Sequence, residues 1–230
     1  MGKKVAIVQS NYIPWKGYFD LINSVDEFIL YDDMQYTRRD WRNRNKIKTP
    51  KGTEWLTIPV EVKGKYFQKI NETNISESSW NQKHLKSLFH NYSKAKCFDK
   101  YIDRFKNMYL KAQMSKLSDI NHFFIIKICN LLEIETKITW SSNYQLLEGK
   151  SERLLSLCQQ AGASQYISGP AAHDYLNIEI FDSAGVEVIF YDYTGYPEYK
   201  QLFPPFDHYV SIIDLILNEG ENAKKFMKSF

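Results

Sequence analysis

The sequence predicts an α/β protein with a mostly parallel sheet, helices on both faces and an all-helical insertion. Three observations carry this. Short apolar runs, Val5-Ala6-Ile7-Val8 and Phe28-Ile29-Leu30-Tyr31 among them, break off abruptly into polar turns. Such runs alternate with segments of helical periodicity, as βαβ units do. Residues 80–132 are poor in Gly and Pro and repeat apolar residues at helical spacing.

Taken in order, the first strand stops at Gln9-Ser10-Asn11. Pro14 suits entry to a first helical turn, and Tyr18, Phe19, Leu21, Ile22 and Val25 give a short helix over 17–24. The second strand covers 27–32, and its continuous apolar core implies burial on both faces. Residues 34–51 lack apolar periodicity and carry five Arg or Lys between Arg38 and Lys46, so a long functional loop is expected. Residues 53–62 alternate like a strand, which Pro59 confines to an edge or ends early. Residues 63–79 are polar loop.

In 80–132, Leu85, Leu88, Phe89 and Tyr92, then Tyr101, Phe105, Met108 and Tyr109, predict two helices. Ser118-Asp119 reads as the cap of a third. The sheet resumes at 136–140 and ends in Ser141-Ser142-Asn143. An amphipathic helix over 150–163 places Leu154, Leu155, Leu157 and Cys158 inward, with Gly162 as its stop. Strands follow at 165–168 and 186–191, and between them 171–184 is helical in part, around Tyr175-Leu176. The segment 193–205 is aromatic and Pro-rich, and 211–217 is a last helix. Short strands alternating with helices give a Rossmann-like parallel sheet with right-handed crossovers. One α/β domain over 1–230, with the helical insertion at 80–132, is the expected organisation.

At 230 residues the chain can bury one large core. With 43% hydrophobic and 25% charged residues it is a folding sequence and not a disordered one. The net charge of +3 neither requires nor forbids an anionic ligand. Three widely spaced cysteines, Cys97, Cys129 and Cys158, form no CxxC pair and read as buried thiols of a reduced, cytoplasmic compartment. The apolar run after Met1-Gly2-Lys3-Lys4 is too short for a signal peptide. No run approaches the ~20 apolar residues of a membrane span.

Three polar turns lie at carboxyl ends of predicted strands, the edge where open α/β sheets bind ligands. The first holds Gln9, Ser10, Asn11, Tyr12, Trp15 and Lys16, either a cradle for an anion or an ordinary capped turn. It contains neither GxGxxG nor GxxxxGK[ST]. A nucleotidylyltransferase of this fold would carry two histidines near Trp15 and Tyr18, and Trp15-Lys16-Gly17-Tyr18 has none.

The second turn runs through Asp32, Asp33, Gln35, Tyr36, Arg38, Trp41, Arg42, Asn43, Arg44 and Asn45. Arginine holds phosphate bidentately, and Trp or Tyr stacks on a base or sugar. Asp32-Asp33 can bind Mg²⁺ with substrate phosphates, accept hydrogen bonds from sugar hydroxyls, or serve as a base. No His/Cys cluster supports a zinc site. The third turn is Ser168-Gly169-Pro170-Ala171-Ala172-His173-Asp174-Tyr175; His173 reads either as a general acid/base or as a capping or surface histidine. Ser141, at the end of its own strand, joins the candidate binding set.

Several of these stretches resemble a known family. Gln9-Ser10-Asn11-Tyr12-Ile13-Pro14-Trp15-Lys16-Gly17-Tyr18, Asp32-Asp33-Met34-Gln35-Tyr36, Trp41-Arg42-Asn43-Arg44-Asn45-Lys46-Ile47, Trp55-Leu56-Thr57-Ile58-Pro59-Val60 and Ile167-Ser168-Gly169-Pro170 through Asp174-Tyr175-Leu176 are similar to the WbqC-like family. Its members occur in bacterial gene clusters for O-antigen and other surface polysaccharides. The resemblance implies sugar modification by a glycine or other acyl transferase, and supplies no catalytic residues.

Together the turns and the resemblance lead us to expect a cytoplasmic transferase of O-antigen (lipopolysaccharide) biosynthesis. It would put an acyl or aminoacyl group, such as glycyl, on the amine of a nucleotide-linked sugar. Arg38, Arg42, Arg44 and Lys16 would hold phosphates, and Tyr12, Trp15, Tyr36 or Trp41 would stack on base or sugar. Asp33 or His173 would be the base, with Gln9, Asn11 or Asn43 polarising the oxyanion. The donor would be an acyl thioester, on CoA or an acyl carrier protein; that carrier protein would also be a partner. The alternatives are an ATP-dependent, acyl-adenylate-forming ligase and a non-catalytic protein that binds a sugar nucleotide or a partner enzyme. An RNA-binding role has no fold signature to support it.

Overall fold

A computed structural model describes residues 2–230. Along the chain come β1 (Lys4–Val8), α1 (Lys16–Asn23) and β2 (Glu27–Leu30). Next is a hairpin of β3 (Arg44–Thr49) and β4 (Gly52–Thr57), then the helices α2 (Trp80–Tyr92), α3 (Phe98–Lys111) and α4 (Leu117–Leu132). The chain continues through β5 (Lys137–Trp140), α5 (Ser151–Gln160), β6 (Gln165–Ser168), α6 (Ile178–Ser183) and β7 (Glu187–Phe190), and ends with α7 (Ile212–Glu219) and a 3₁₀ turn over Gly220–Phe226.

Five strands form one parallel sheet in the order β5-β2-β1-β6-β7. Numbered among themselves they stand 3-2-1-4-5, the start of the doubly wound dinucleotide-binding order. The α/β, Rossmann-like class is as predicted. The chain reverses its direction of winding between β1 and β6, which opens a crevice at their carboxyl ends.

The alternation of strand side chains sorts the core into two layers. Ala6, Phe28, Leu30 and Ile167 face one way, against Phe19 and Ile22 of α1 and Phe124 and Ile128 of α4. Val5, Ile7, Ile29 and Tyr166 face the other way, against Leu154, Leu157 and Cys158 of α5 and Phe181 of α6. Residues from α2, α3 and α7 join the first layer, so the three helices of 80–132 share a core with the sheet. Burial pushes the Cys129 and Cys158 thiols up to about 12.

Three local expectations are corrected. Residues 34–51 are not all loop, because β3 pairs antiparallel with β4 from Arg44↔Thr57 to Thr49↔Gly52. The strand escapes an apolar pattern because its buried positions include Asn45, Lys48 and Thr49. Asn45 holds the backbone of the first turn, and Lys48 reaches the Pro205 carbonyl. Residues 171–184 are helical in part, as expected, but the helix is α6 at Ile178–Ser183 and does not include Tyr175-Leu176, which follow a 3₁₀ turn over Pro170–Asp174. Ser118 does not cap α4: the helix starts at Leu117, and Ser118 donates its hydroxyl to Asp32.

Two buried titratable groups, Glu27 and His84, lower the stability of the fold as the pH falls. Glu27 lies within β2 opposite Lys137. Burial alone would raise its pKa, but hydrogen bonds from Lys3 (2.7 Å), Tyr144 (2.5 Å), Thr139 (2.8 Å) and Lys137 (3.2 Å) bring it down to about 2. His84 is lowered from 6.5 to about 4 by burial. Its Nε2 lies 3.1 Å from the Thr57 carbonyl, which can only accept, so the neutral ring donates there and takes the Tyr12 hydroxyl at Nδ1 (2.8 Å).

Between pH 6.5 and about 4 the folded chain binds fewer protons at His84 than the unfolded chain, so stability falls as pH drops through that window. Glu27 has a depressed pKa, and its contribution is lost from 4.5 down to about 2. His84→Gln is expected to remove the upper part of the slope of Tm against pH. Glu27→Gln is expected to remove the lower part and to cost about 2 kcal/mol at pH 7, a figure reduced for the exposure of Lys3 and Lys137. Circular-dichroism melts from pH 7.5 to 3 check both, and unchanged slopes would contradict the assignment.

Candidate functional site

β1 and β6 run in register, Ala6 opposite Ile167, so Gln9 and Ser168-Gly169 leave the sheet side by side. Between them opens a cleft of about 700 Å³. Its floor is Ile7, Val8 and Tyr166 from the strands, and Tyr31, Tyr175 and Tyr193 add aromatic wall. Arg42 enters from the loop before β3, and Lys150 and Arg153 from the amino end of α5. Among the described residues, no Asp, Glu, His or Cys lines it. Three cations line it, while the Asp40 carboxylate behind Arg42, at 3.5 Å, lies outside the lining; beside the positive end of a helix they make a site for an anion. Gly149 suits the turn there: its φ of +89° lies in the left-handed region that a side chain rarely adopts.

Arg42 is anchored for this position. Its Nη1 donates to Asn11 Oδ1 (2.5 Å) and reaches the Gln9 carbonyl (3.4 Å). Its Nε stands 3.5 Å from Asp40 Oδ2, close enough for an ion pair but unaligned for a hydrogen bond. The remaining nitrogen is left for a ligand.

Beneath the turn lies a buried polar knot. The Asp32 carboxylate accepts from the Ser10 N–H (2.7 Å), the Ser10 hydroxyl (2.6 Å) and the Ser118 hydroxyl. Asn121, one turn along α4, donates to Ser10 Oγ (3.0 Å) and to the Arg42 carbonyl (2.8 Å). Burial raises the Asp32 pKa, against the pull of the Ser10 and Ser118 hydrogen bonds and the Arg42 charge.

The backbone above the knot is strained. Ile13 has φ +36°, an outlier for a β-branched residue. Such strain costs on the order of 1–3 kcal/mol and persists only when the surroundings impose it. Asn45 imposes it, donating to the carbonyls of Tyr12 (3.2 Å) and Ile13 (3.0 Å), while the Tyr12 N–H bonds the Trp41 carbonyl (3.1 Å).

The predicted residues fall into groups. Gln9, Arg42, Ser168 and Gly169 line the cleft. Asn11, Trp15, Trp41 and Asn45 line a smaller pocket of about 290 Å³. Ser10 and Asp32 belong to the buried knot. Tyr12 is wholly buried, bonded to His84 and Tyr109 (2.9 Å), so it cannot stack on a ligand. Lys16 is 2% exposed; its Nζ donates to the Pro197 carbonyl (2.8 Å), and burial lowers its pKa to about 8. It faces away from the cleft because α1 turns it under the 193–205 segment. Asn43 is buried and donates to the Ile58 carbonyl (2.8 Å).

Gln35, Tyr36 and Arg38 line a separate groove with Lys65 and Tyr66. Arg44 lies over the Trp55 ring, 4.0 Å from its centroid, on the outside of the hairpin. Asp33 is held by Asn71 (3.1 Å) and Ser141 (2.5 Å), outside the cleft lining. His173 stacks on Phe190 at 3.5 Å, also outside it. Of the four expected phosphate ligands, only Arg42 reaches the cleft.

Sequence reasoning missed Tyr31, Lys150, Arg153 and Tyr193, and placed Tyr175 in the third turn without giving it a role. Lys150 and Arg153 carried a usable signal. They follow Gly149 in the first turn of a helix that connects one strand to the next, where anion sites form. The tyrosines carried none, since which of the chain's 16 face a cavity depends on the packing.

Fold and cleft define an α/β protein with a cationic crevice at the switch point of a parallel sheet. The chain belongs to the WbqC-like protein family, whose pattern it matches over residues 9–226. It is also 51% identical, over 226 residues and 98% of both chains, to a Mycobacterium tuberculosis protein described as Uncharacterized protein Rv1507c. No solved structure matches it. Among the described residues, no helix is long and apolar enough to cross a membrane.

Replacing Asp32 by Asn puts an amide donor where the Ser10 and Ser118 donors converge. The expected cost is about 2–4 kcal/mol in urea unfolding. Ser118→Ala, which removes one donor only, should cost about 1 kcal/mol. Equal midpoints for Asp32→Asn and the parent protein would rule the knot out as a stabilising element.

Proposed function

We propose that the cleft binds a nucleotide-linked sugar and that the protein is a cytoplasmic transferase acting on the sugar's amine. The single observation that carries this is the three-cation, carboxylate-free wall at the sheet's switch point. Arg42, Lys150 and Arg153 hold the diphosphate through charge-assisted hydrogen bonds, Arg42 by the one nitrogen its anchors leave free. Tyr31, Tyr175 and Tyr193 give the base and ribose apolar faces with polar tips. Membership of the WbqC-like family supports a place in surface-polysaccharide synthesis.

The transfer follows from the chemistry of amines and thioesters. The amine lone pair attacks the acyl carbon of a thioester on CoA or a carrier protein. The C–N bond forms, the C–S bond breaks, and the amine's proton passes to the departing thiolate. Gln9, on the cleft wall beside Arg42, is the proposed donor to the oxyanion. No side-chain base is assigned, since Asp33 and His173 stand outside the lining.

That same lack of Asp, Glu, His and Cys in the lining favours a second reading, a sugar-nucleotide-binding protein without chemistry of its own. Turnover of an amino-sugar nucleotide with an acyl thioester separates the two.

UDP-, dTDP-, GDP- and CMP-sugars are to be screened by thermal shift, since a ligand that binds only the folded state raises Tm by mass action. At least one is expected to raise it. Lys150→Ala and Arg153→Ala should each weaken that ligand about tenfold and flatten its salt dependence, each removing about 1.4 kcal/mol of charge-assisted bonding. A flat response to all four nucleotide classes would end the reading.

A further inference from the structure

We infer that the small pocket beside the cleft is a pyranose subsite, in which a sugar ring packs on Trp15, Trp41 and Tyr209 and bonds to Asn11. Its identification as the sugar end of one bipartite site rests on the nucleotide-sugar reading above; its capacity for a sugar ring does not.

The pocket and the cleft share a wall. Arg42 lines the cleft and donates to Asn11, which lines the pocket, at 2.5 Å. Tyr193 lines the cleft and packs on Trp15, which lines the pocket, at 5.4 Å between centroids. A phosphate held on Arg42 therefore lies one side chain from the pocket.

The lining chemistry selects the guest. Three aromatic rings, two asparagines and Pro14 line the pocket, and no charged side chain does. A pyranose presents C–H faces to rings and hydroxyls to amides, and the nearest cations, Lys46 over Trp41 at 6.0 Å and Arg42 behind Asn11, stand outside the lining. At about 290 Å³ the pocket falls just below the roughly 300–1,000 Å³ of drug-sized sites, room for one ring and not for a nucleotide. Arginine only donates, so the Arg42 contact fixes Asn11 Oδ1 as the acceptor and leaves the two Nδ2 hydrogens for a ligand.

The pocket is also built, not incidental. Trp15 packs against Tyr193, Tyr196 and Tyr209 at 5.3–5.6 Å. Asn45 spends its amide on the Tyr12 and Ile13 carbonyls, which fixes the turn that presents Asn11, Pro14 and Trp15. Trp41 and Tyr209 stand 37% and 59% exposed, which a guest ring would cover.

The test uses saturation-transfer NMR on the full chain with methyl glycosides of neutral hexopyranoses and of a 2-amino hexopyranose. Wild-type protein is expected to saturate the ring protons of at least one of them. Trp41→Ala should weaken that glycoside about fivefold, the scale of one aromatic face, with the melting temperature held. Tyr66→Ala, in the separate groove, should leave it unchanged. No transfer to any pyranoside, or undiminished transfer with Trp41→Ala, overturns the subsite. UDP, dTDP, GDP and CMP added alone read the cleft separately. Pyranoside binding without nucleotide binding keeps the subsite and removes the nucleotide reading; nucleotide binding without pyranoside binding does the reverse.

Discussion

The site depends on one buried carboxylate. Asp32 sits at the end of β2, out of contact with water, and charge in such a place is tolerated only when its lone pairs are filled. Ser10 fills them from the end of β1 and Ser118 from α4. Three elements distant in sequence are thereby fixed to one atom group. Asn121, three residues beyond Ser118 and on the same helix face, extends the bonding to the Arg42 carbonyl. The loop that brings a cation to the cleft is thus held from below by α4. This is a physical role for the 80–132 helices beyond enclosing the core.

The two cavities follow from that arrangement. A parallel sheet that reverses its winding leaves a crevice wherever its strands are ordered 3-2-1-4-5, whatever the loops contain. The loops decide its sign. Arg42 comes from one side of the switch point, while Lys150 and Arg153 come from the other, on α5. The aromatic segment 193–205 then closes the far edge. It is tied down by the Tyr196 hydroxyl on Asp20 (2.7 Å) and the Tyr199 hydroxyl on Asp214 (2.7 Å), both buried. Tyr193 and Trp15 meet there, so cleft and pocket form one continuous rim.

Much of the fold was legible because its strands are apolar and end in turns. β1, β2 and β6 are read directly from Val5-Ala6-Ile7-Val8, Phe28-Ile29-Leu30 and Gln165-Tyr166-Ile167-Ser168, and Gly162 stops α5 with a positive φ of +69°. β3 was not legible, because Asn45, Lys48 and Thr49 occupy its buried positions for hydrogen bonding and break the apolar alternation. Ser118 misled for a related reason: a serine at a helix start looks like a cap until a carboxylate from another strand claims its hydroxyl.

The sequence by itself determined the α/β class, the strands at whose ends ligands bind, and the presence of arginine and aromatic side chains in the connecting turns. It did so because periodicity and turn chemistry are local properties of the chain. Only the tertiary structure decided which of those side chains are free to act. Lys16, Tyr12 and Asn43 are consumed by the fold, Arg44 and Arg38 point elsewhere, and Lys150 and Arg153 arrive from a helix more than a hundred residues along. A residue's chemistry is written in its type, but its availability is the remainder after every buried donor and acceptor has found a partner, and that is settled only when the whole chain is packed.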